Sequence, residues 1–351
     1  MKRSSLLAIA AIWALATPAS AQVKLTGAGA TFPNIIYQDW ILSYNQVHAD
    51  VQLNYQSIGS GGGIRQFSDG TVDFGGSDAP MSDSAIAAIQ GNVLHIPTVL
   101  GAVVVTYTLP EVKQALKFTP DLVADIFLGK ITKWSDGRIA AANQGVKLPA
   151  TDLVVVHRSD ASGTSYIFTD YLSKVSPEWK EKVGKGVSVN WPVGLGGKGN
   201  EGVSATVSQT PGAIGYVELA YASKNNLPVA ELKNKAGVFV APTLKATTAA
   251  LAAAMGTMDR STDFRVSITD AEGREAYPIA SMTYLLLHKS YADAAKAREL
   301  VKYVWWAETD GQSRAEGLGY APLPAALRPW IEVRLKSITA DGKSVWTTAA
   351  R

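Results

Sequence analysis

Cysteine is absent from the 351 residues. That excludes disulfide bridges, cysteine-type structural zinc and a thiol nucleophile. It also excludes a lipid-carrying cysteine behind an export leader. Histidine is scarce: His48, His95, His157 and His288 are scattered, and no pair has the His-Glu-x-x-His spacing of a metal site. Each reads as a lone core or surface residue, so no metal or cofactor is expected. There is no G-x-S-x-G nucleophile elbow. Neither sign of charge dominates, with 33 Lys and Arg against 30 Asp and Glu. So even a balance argues against a nucleic-acid partner held through bulk charge. Beyond the first twenty residues no apolar run is long enough to span a bilayer.

What is there begins with a leader. Lys2 and Arg3 precede the apolar run from Leu6 to Leu15, and Ala19-Ser20-Ala21 supplies small residues for cleavage. This reads as a secretory signal peptide over residues 1–21, removed in the mature protein. The 351 residues less those 21 leave 330, and the formal charge of +3 less Lys2 and Arg3 leaves +1. A soluble protein beyond the inner membrane is expected, long enough for two domains. Its 47% hydrophobic composition is ample for two cores.

Strand-like stretches run over Val51 to Ile58, Thr71 to Phe74, Val99 to Thr108, Leu153 to His157, Ala213 to Val217 and Met282 to Leu287. Helical spacing runs over Pro33 to Tyr44, Ser165 to Leu172 and Ala294 to Ala307. The alternation gives an α/β class, in which ligands sit beyond the carboxyl ends of strands. The glycine-dense stretch Gly194 to Gly202 lacks the Lys-Ser/Thr ending of a P-loop and reads as a structural loop.

Three segments place hydroxyls and backbone N–H groups just before a helix. They are Ala30-Thr31-Phe32-Pro33, Ile58-Gly59-Ser60-Gly61-Gly62-Gly63-Ile64 and Arg158-Ser159-Asp160-Ala161-Ser162-Gly163-Thr164. Helix N-termini carry unpaired donors and the positive end of a dipole, so three of them beside one Arg make a cage for a small oxyanion. Ser60, Ser162 and Thr164 also suit plain capping, and the same N–H groups can serve both roles. The planar fork of Arg158 can hold two oxygens, with Asp160 orienting it; the other reading is a surface ion pair. Asp78, in Ser77-Asp78-Ala79-Pro80, discriminates. An ionised carboxylate only accepts hydrogen bonds, so it welcomes the P–OH of phosphate and repels fully deprotonated sulfate. The other reading of Asp78 is a cap for the segment after Pro80.

These stretches carry a family resemblance. Leu25 to Pro33, Tyr55 to Ser60, Val72 to Pro80, Arg158 to Thr164, Gly196 to Asn200 and Gly212 to Glu218, in that order, resemble the periplasmic phosphate-binding proteins of Pst-type phosphate ABC transporters. The resemblance runs from the start of the mature chain to about Tyr320. It implies a periplasmic-binding-protein fold (type II-like), with two lobes of mixed sheet joined by a two-strand hinge. It also implies a soluble periplasmic receptor, monomeric, that binds inorganic phosphate and hands it to membrane permease subunits. Matched motif by motif, the phosphate contacts are Thr31, Phe32, Ser60, Asp78, Arg158, Ser162, Gly163 and Thr164, with Asp160 in support. Ala161 stands where the family usually has Gly, and would be strained if its backbone were left-handed. Crossovers are expected at Val103–Thr106 and Ala280–Thr283. Residues 22–104 and 284–351 then form lobe one, and 105–283 lobe two. No cofactor and no catalysis are implied; a secreted phosphatase on the same scaffold is the alternative.

Overall fold

The computed structural model describes residues 22–256, 258–259 and 262–347, so the expected signal peptide lies outside the described residues. The strands are β1 (Val23–Gly29), β2 (Val51–Ser57), β3 (Phe74–Ser77), β4 (Leu94–Tyr107), β5 (Lys117–Phe118), β6 (Val154–Arg158), β7 (Leu195–Gly197), β8 (Ala213–Glu218), β9 (Glu231–Lys233), β10 (Phe239–Val240), β11 (Ala280–Leu287), β12 (Ser290–Tyr291), β13 (Thr339–Ala340) and β14 (Lys343–Ser344). Eight of them form one mixed sheet in the order β2-β1-β3-β11-β4-β8-β6-β7; β10-β9-β5 and β12-β13-β14 are small satellites.

β4 organises the molecule. All fourteen of its residues are buried, as expected of an apolar, β-branched strand covered on both faces. Its first part pairs antiparallel with β11, ending at Ala102↔Ala280, and its last part pairs antiparallel with β8, starting at Val103↔Glu218. The sheet therefore has two halves that meet between Ala102 and Val103. The expected crossover Val103–Thr106 lies within the second half, and Ala280–Thr283 lies within the first.

In the first half, β1 pairs parallel with β2 and β3, and β3 pairs antiparallel with β11. In β2 the buried residues are Val51, Leu53 and Tyr55, alternating with exposed polar ones. The helix Asn34–Val47 buries Ile36, Tyr37, Trp40, Ile41 and Tyr44, the stripe that its spacing predicts. In the second half β6 pairs parallel with β8 and β7. The helix Gly163–Val175 buries Ile167, Phe168, Tyr171 and Leu172 against it.

Two sequence expectations are corrected here. The strand expected over Thr71 to Phe74 starts at Phe74, because pairing with β1 begins at Gly27↔Phe74. The Asp73 carboxylate is meanwhile taken by the Thr26 N–H, 2.7 Å away, and by Lys296. The stretch Gly194 to Gly202 is not a plain loop: it holds β7 and the first turn of the helix Gly199–Gln209. Gly197 packs so closely on Gly202 and Val203 that a Cβ would meet backbone atoms at 2.6–2.9 Å. No helix among the described residues is long and apolar enough to cross a membrane.

Candidate anion-binding site

Four helix starts converge where the two halves of the sheet face each other. From the first half come Thr31-Phe32, ahead of the helix Asn34–Val47, and Ser60, which opens the helix Ser60–Ser68. From the second come Ser162-Gly163-Thr164 and Gly199-Asn200. Three of these helices have no side-chain cap, at Pro33, Gly59 and Lys198. Their first N–H groups and dipoles are thus left for an acceptor from outside the helix. Ser162 does cap its own helix, accepting from Ser165 N at 3.1 Å. Thr31, Phe32, Ser60, Asp78, Arg158, Ser162 and Thr164 are all at most 3% exposed, and Gly163 is buried with them.

The threonine hydroxyls are poised as donors. Thr31 Oγ1 accepts from the Asn200 backbone N–H at 3.2 Å and from its side-chain amide at 2.7 Å. Thr164 Oγ1 accepts from Asn200 Nδ2 at 3.1 Å and from Arg158 at 3.2 Å. Both oxygens are filled as acceptors, which leaves each O–H to be offered to an anion. Tyr221 adds a bond across the cleft, donating to Thr31 O at 2.7 Å.

Arg158 combines the two readings open to it. Nε and Nη2 donate to the two oxygens of Asp160 at 2.8 and 2.6 Å, and Nη1 donates to Thr164. The guanidinium is buried rather than on the surface: its side chain is 1% exposed. Asp160 also accepts from Gly199 N at 3.0 Å. Burial pulls the Asp160 carboxyl upward, but the Arg158 fork and that N–H outweigh it and hold the pKa below the ordinary value. Asp160 therefore stays charged and fixes the plane of the fork. The outer N–H groups at Nη1 and Nη2 remain for an oxyanion.

Asp78 lies opposite. Its Oδ1 accepts from Thr283 at 2.7 Å, its Oδ2 from Ser60 at 3.3 Å, and its own N–H donates to Ser60 Oγ at 3.1 Å. Burial pushes its pKa up from 3.8 to about 7, against the pull of Thr283, Arg158 and Ser60. Glu218, on β8 beside the point where the halves meet, is also fully buried, and burial raises its pKa well above the usual range despite the Ala220 N–H bonded to it. Burial therefore favours its neutral form.

The halves are closed on each other. A Cβ on Gly163 would fall on the Ser60 hydroxyl and the Asp78 carboxylate, and one on Gly61 would meet the methyl of Ala161. Gly61 N donates to Ala161 O at 3.0 Å across the cleft. Ala161 is not among the residues with positive φ, so alanine is accommodated there without strain. Gly163→Ala is expected to hold the cleft ajar and to lower oxyanion affinity at least about tenfold, about 1.4 kcal/mol. Titration calorimetry reads this, and affinity equal to wild type would mean that this approach of the halves is not needed for binding.

All nine residues expected from sequence are brought together. Three further ones, Asn200, Tyr221 and Thr283, escape sequence reading as site residues. Asn200 had a signal, since it follows a left-handed glycine (Gly199, φ +70°) at a helix start. Tyr221 and Thr283 had none: they meet Thr31 and Asp78 from 190 and 205 positions away.

Comparison with known proteins gives the family. Residues 16–305 match the PBP superfamily domain. A phosphate-binding protein PstS from Xylella fastidiosa is 45% identical over 321 residues, covering 90% of this chain and 87% of the relative. One from Pasteurella multocida is 44% identical over 349 residues, 98% of this chain and 99% of the relative. Among solved structures, a phosphate-binding protein from Stenotrophomonas maltophilia superposes with a TM-score of 0.69 at 19% identity, covering 89% of this chain and 94% of its own. With two curated relatives near 45% identity over almost their whole length, the chain belongs to the PstS family of phosphate-binding proteins, built on the PBP superfamily fold.

Proposed function

We propose that this protein is a periplasmic receptor that holds one inorganic phosphate between two lobes and delivers it to the membrane subunits of an ABC importer. The observation that carries the reading is Asp78: a buried carboxyl facing an array of donors, with its pKa raised to about 7. Phosphate and Asp78 together bring one proton to their contact. Either the P–OH donates to the carboxylate, or the carboxylic acid donates to P–O⁻, and the two descriptions share the same proton count. Thr31, Phe32 N–H, Ser60 N–H, Ser162, Gly163 N–H and Thr164 donate to the remaining oxygens, and Arg158 takes two of them. Dipoles and hydrogen bonds hold the anion, rather than net positive charge, because Asp160 already balances Arg158.

The lobes are the two halves of the sheet with their helices. Divided at Ala102/Val103 and just before Ala280, they differ by a few residues from the expected division of 22–104 plus 284–351 and 105–283. Ligand held by donors from both lobes binds the closed form better and so drives closure. The closed form of a monomer in the periplasm is what permease subunits would engage, after removal of residues 1–21. Small-angle scattering is expected to give a smaller radius of gyration with phosphate than without. Identical profiles would leave a rigid pocket and remove the hinge. Catalysis is not part of this reading: a receptor whose donors close around every oxygen of a tetrahedral anion leaves no room for an ester group. Steady turnover of p-nitrophenyl phosphate by the purified protein would contradict it.

A further inference from the structure

The loop that carries Asp78 is fixed from outside the cage. Upstream it is tied at Asp78 N to Ser60 and at Ala79 N to Ser77 Oγ, 3.2 Å away. Downstream its anchor is the peptide of Met81. Met81 N–H donates to His95 Nε2 at 3.1 Å, and Met81 O accepts from Arg265 at 3.4 Å. An N–H can only donate, so Nε2 is the acceptor and the imidazole proton sits on Nδ1. Nδ1 donates to Asp263 Oδ2 at 2.9 Å, and His95 N donates to the same oxygen at 3.1 Å. His95 is wholly buried, with the ring of Tyr284 edge-on at 5.9 Å.

Asp263 and Arg265 belong to a segment that reaches the other half of the molecule within a few residues. Ser267 Oγ and Thr269 Oγ1 each donate to Asp170 Oδ2 at 2.6 Å, and Lys174 donates to Ser267 Oγ and Thr269 O. Asp170 and Lys174 lie on the helix Gly163–Val175, whose first turn holds the cage residues Gly163 and Thr164. Residues 263–269 thus grip the Asp78 loop at one end and the Thr164 helix at the other. The grip is enforced: Asp263 and Phe264 are consecutive non-glycine residues in the left-handed region, at φ +54° and +59°. Such backbone persists only where contacts over-determine it. Here they are the His95 bonds and the bond from Tyr284 Oη to Phe264 O at 3.0 Å.

We propose that segment 263–269 is a second tie between the lobes, in which Asp263 and His95 are positioning residues that set how the Asp78 carboxyl meets the anion. Phosphate selectivity and closed-state lifetime then depend on residues that never touch ligand. This rests on the phosphate reading of the site.

The test uses the mature protein and two readouts: the rate of phosphate release by stopped flow, and the ratio of phosphate to sulfate affinity by calorimetry. Asp263→Gly removes the carboxylate and suits the left-handed backbone. It is expected to speed release and cut the ratio, each by about tenfold. Asp263→Asn keeps an acceptor and also tolerates that backbone, so it should restore both values to near wild type. Ser267→Ala with Thr269→Val frees the other end and is expected to speed release similarly, giving a second route to the answer if Asp263→Gly folds poorly. A lowered melting temperature with wild-type release and ratio would make the segment merely structural and overturn the proposal. That outcome would leave the phosphate reading intact, whereas a wild type that binds no phosphate would overturn that reading itself.

Discussion

Asp78→Asn is expected to abolish the pH dependence of sulfate rejection and, at the same time, to stabilise the ligand-free protein above neutral pH. With its pKa at about 7, Asp78 is protonated at pH 5 and can donate to sulfate. At pH 8 it is ionised and repels sulfate. Discrimination by wild type should therefore rise from pH 5 to pH 8, by a factor that approaches a hundred for a buried, misplaced charge worth about 3 kcal/mol. Asparagine offers the same amide at both pH values, so the variant's discrimination should be low and flat. The stability effect has a fixed sign. The folded-state pKa of Asp78 lies above its ordinary value of 3.8. Below that value both states are protonated and Asp78 carries no penalty. Between about pH 4 and pH 7 the unfolded chain ionises first, so stability falls as pH rises. Above pH 7 the whole penalty is present, of order 4 kcal/mol for a move from 3.8 to about 7. Asn can keep the bonds to Thr283 and Ser60 without the buried charge. Its ligand-free melting temperature should exceed wild type by several degrees at pH 8 and by little at pH 4. Equal melting curves at pH 8 would mean that the carboxyl is not held at a raised pKa.

Arg158→Met is expected to lose at least about a hundredfold in phosphate affinity. Each hydrogen bond to a charged partner contributes about 1.5–3 kcal/mol, and the fork has two outer N–H groups to offer. The loss is compounded on the protein side. Without the guanidinium, Asp160 keeps its bond from Gly199 N but becomes a half-buried, unpaired charge facing the incoming anion. The double variant with Asp160→Asn should accordingly recover part of the affinity lost by Arg158→Met alone. Calorimetry on the three proteins separates the terms. Affinity in Arg158→Met within a factor of three of wild type would exclude Arg158 from ligand contact.

The candidate site was legible to the extent that its residues are local. Each hydroxyl expected to bind lies at or just before a helix start, and turn residues such as Gly59-Ser60 and Ser162-Gly163 announce such starts in sequence. Asp160 was legible for the same reason, two positions from Arg158. What could not be read is what depends on contact across the chain. Thr283 reaches Asp78 only because β11 lies next to β3, an antiparallel neighbour brought in from some two hundred residues away. Asn200 had only the preceding Gly199 as a signal, inside a glycine-dense stretch where Gly197 serves close packing rather than a loop. β1 escaped because its sequence, VKLTGAG, is poor in the β-branched and aromatic residues that mark strands. Its small residues answer a packing need: a Cβ on Gly63 would strike Gly29 Cα and Gly76 O, so the helix Ser60–Ser68 sits directly on the sheet there. That contact brings Ser60 to Asp78. β4 reads as one long apolar strand in sequence, and the change of partner at Ala102/Val103, next to the expected crossover Val103–Thr106, leaves no mark on it.

Calorimetric titration of the ligand-free mature protein at pH 8 with phosphate and, separately, with sulfate tests the central claim most directly. The account predicts one phosphate per chain and sulfate at least about a hundredfold weaker, a difference of about 2.7 kcal/mol. Sulfate binding as tightly as phosphate, or no heat from phosphate at all, would contradict it.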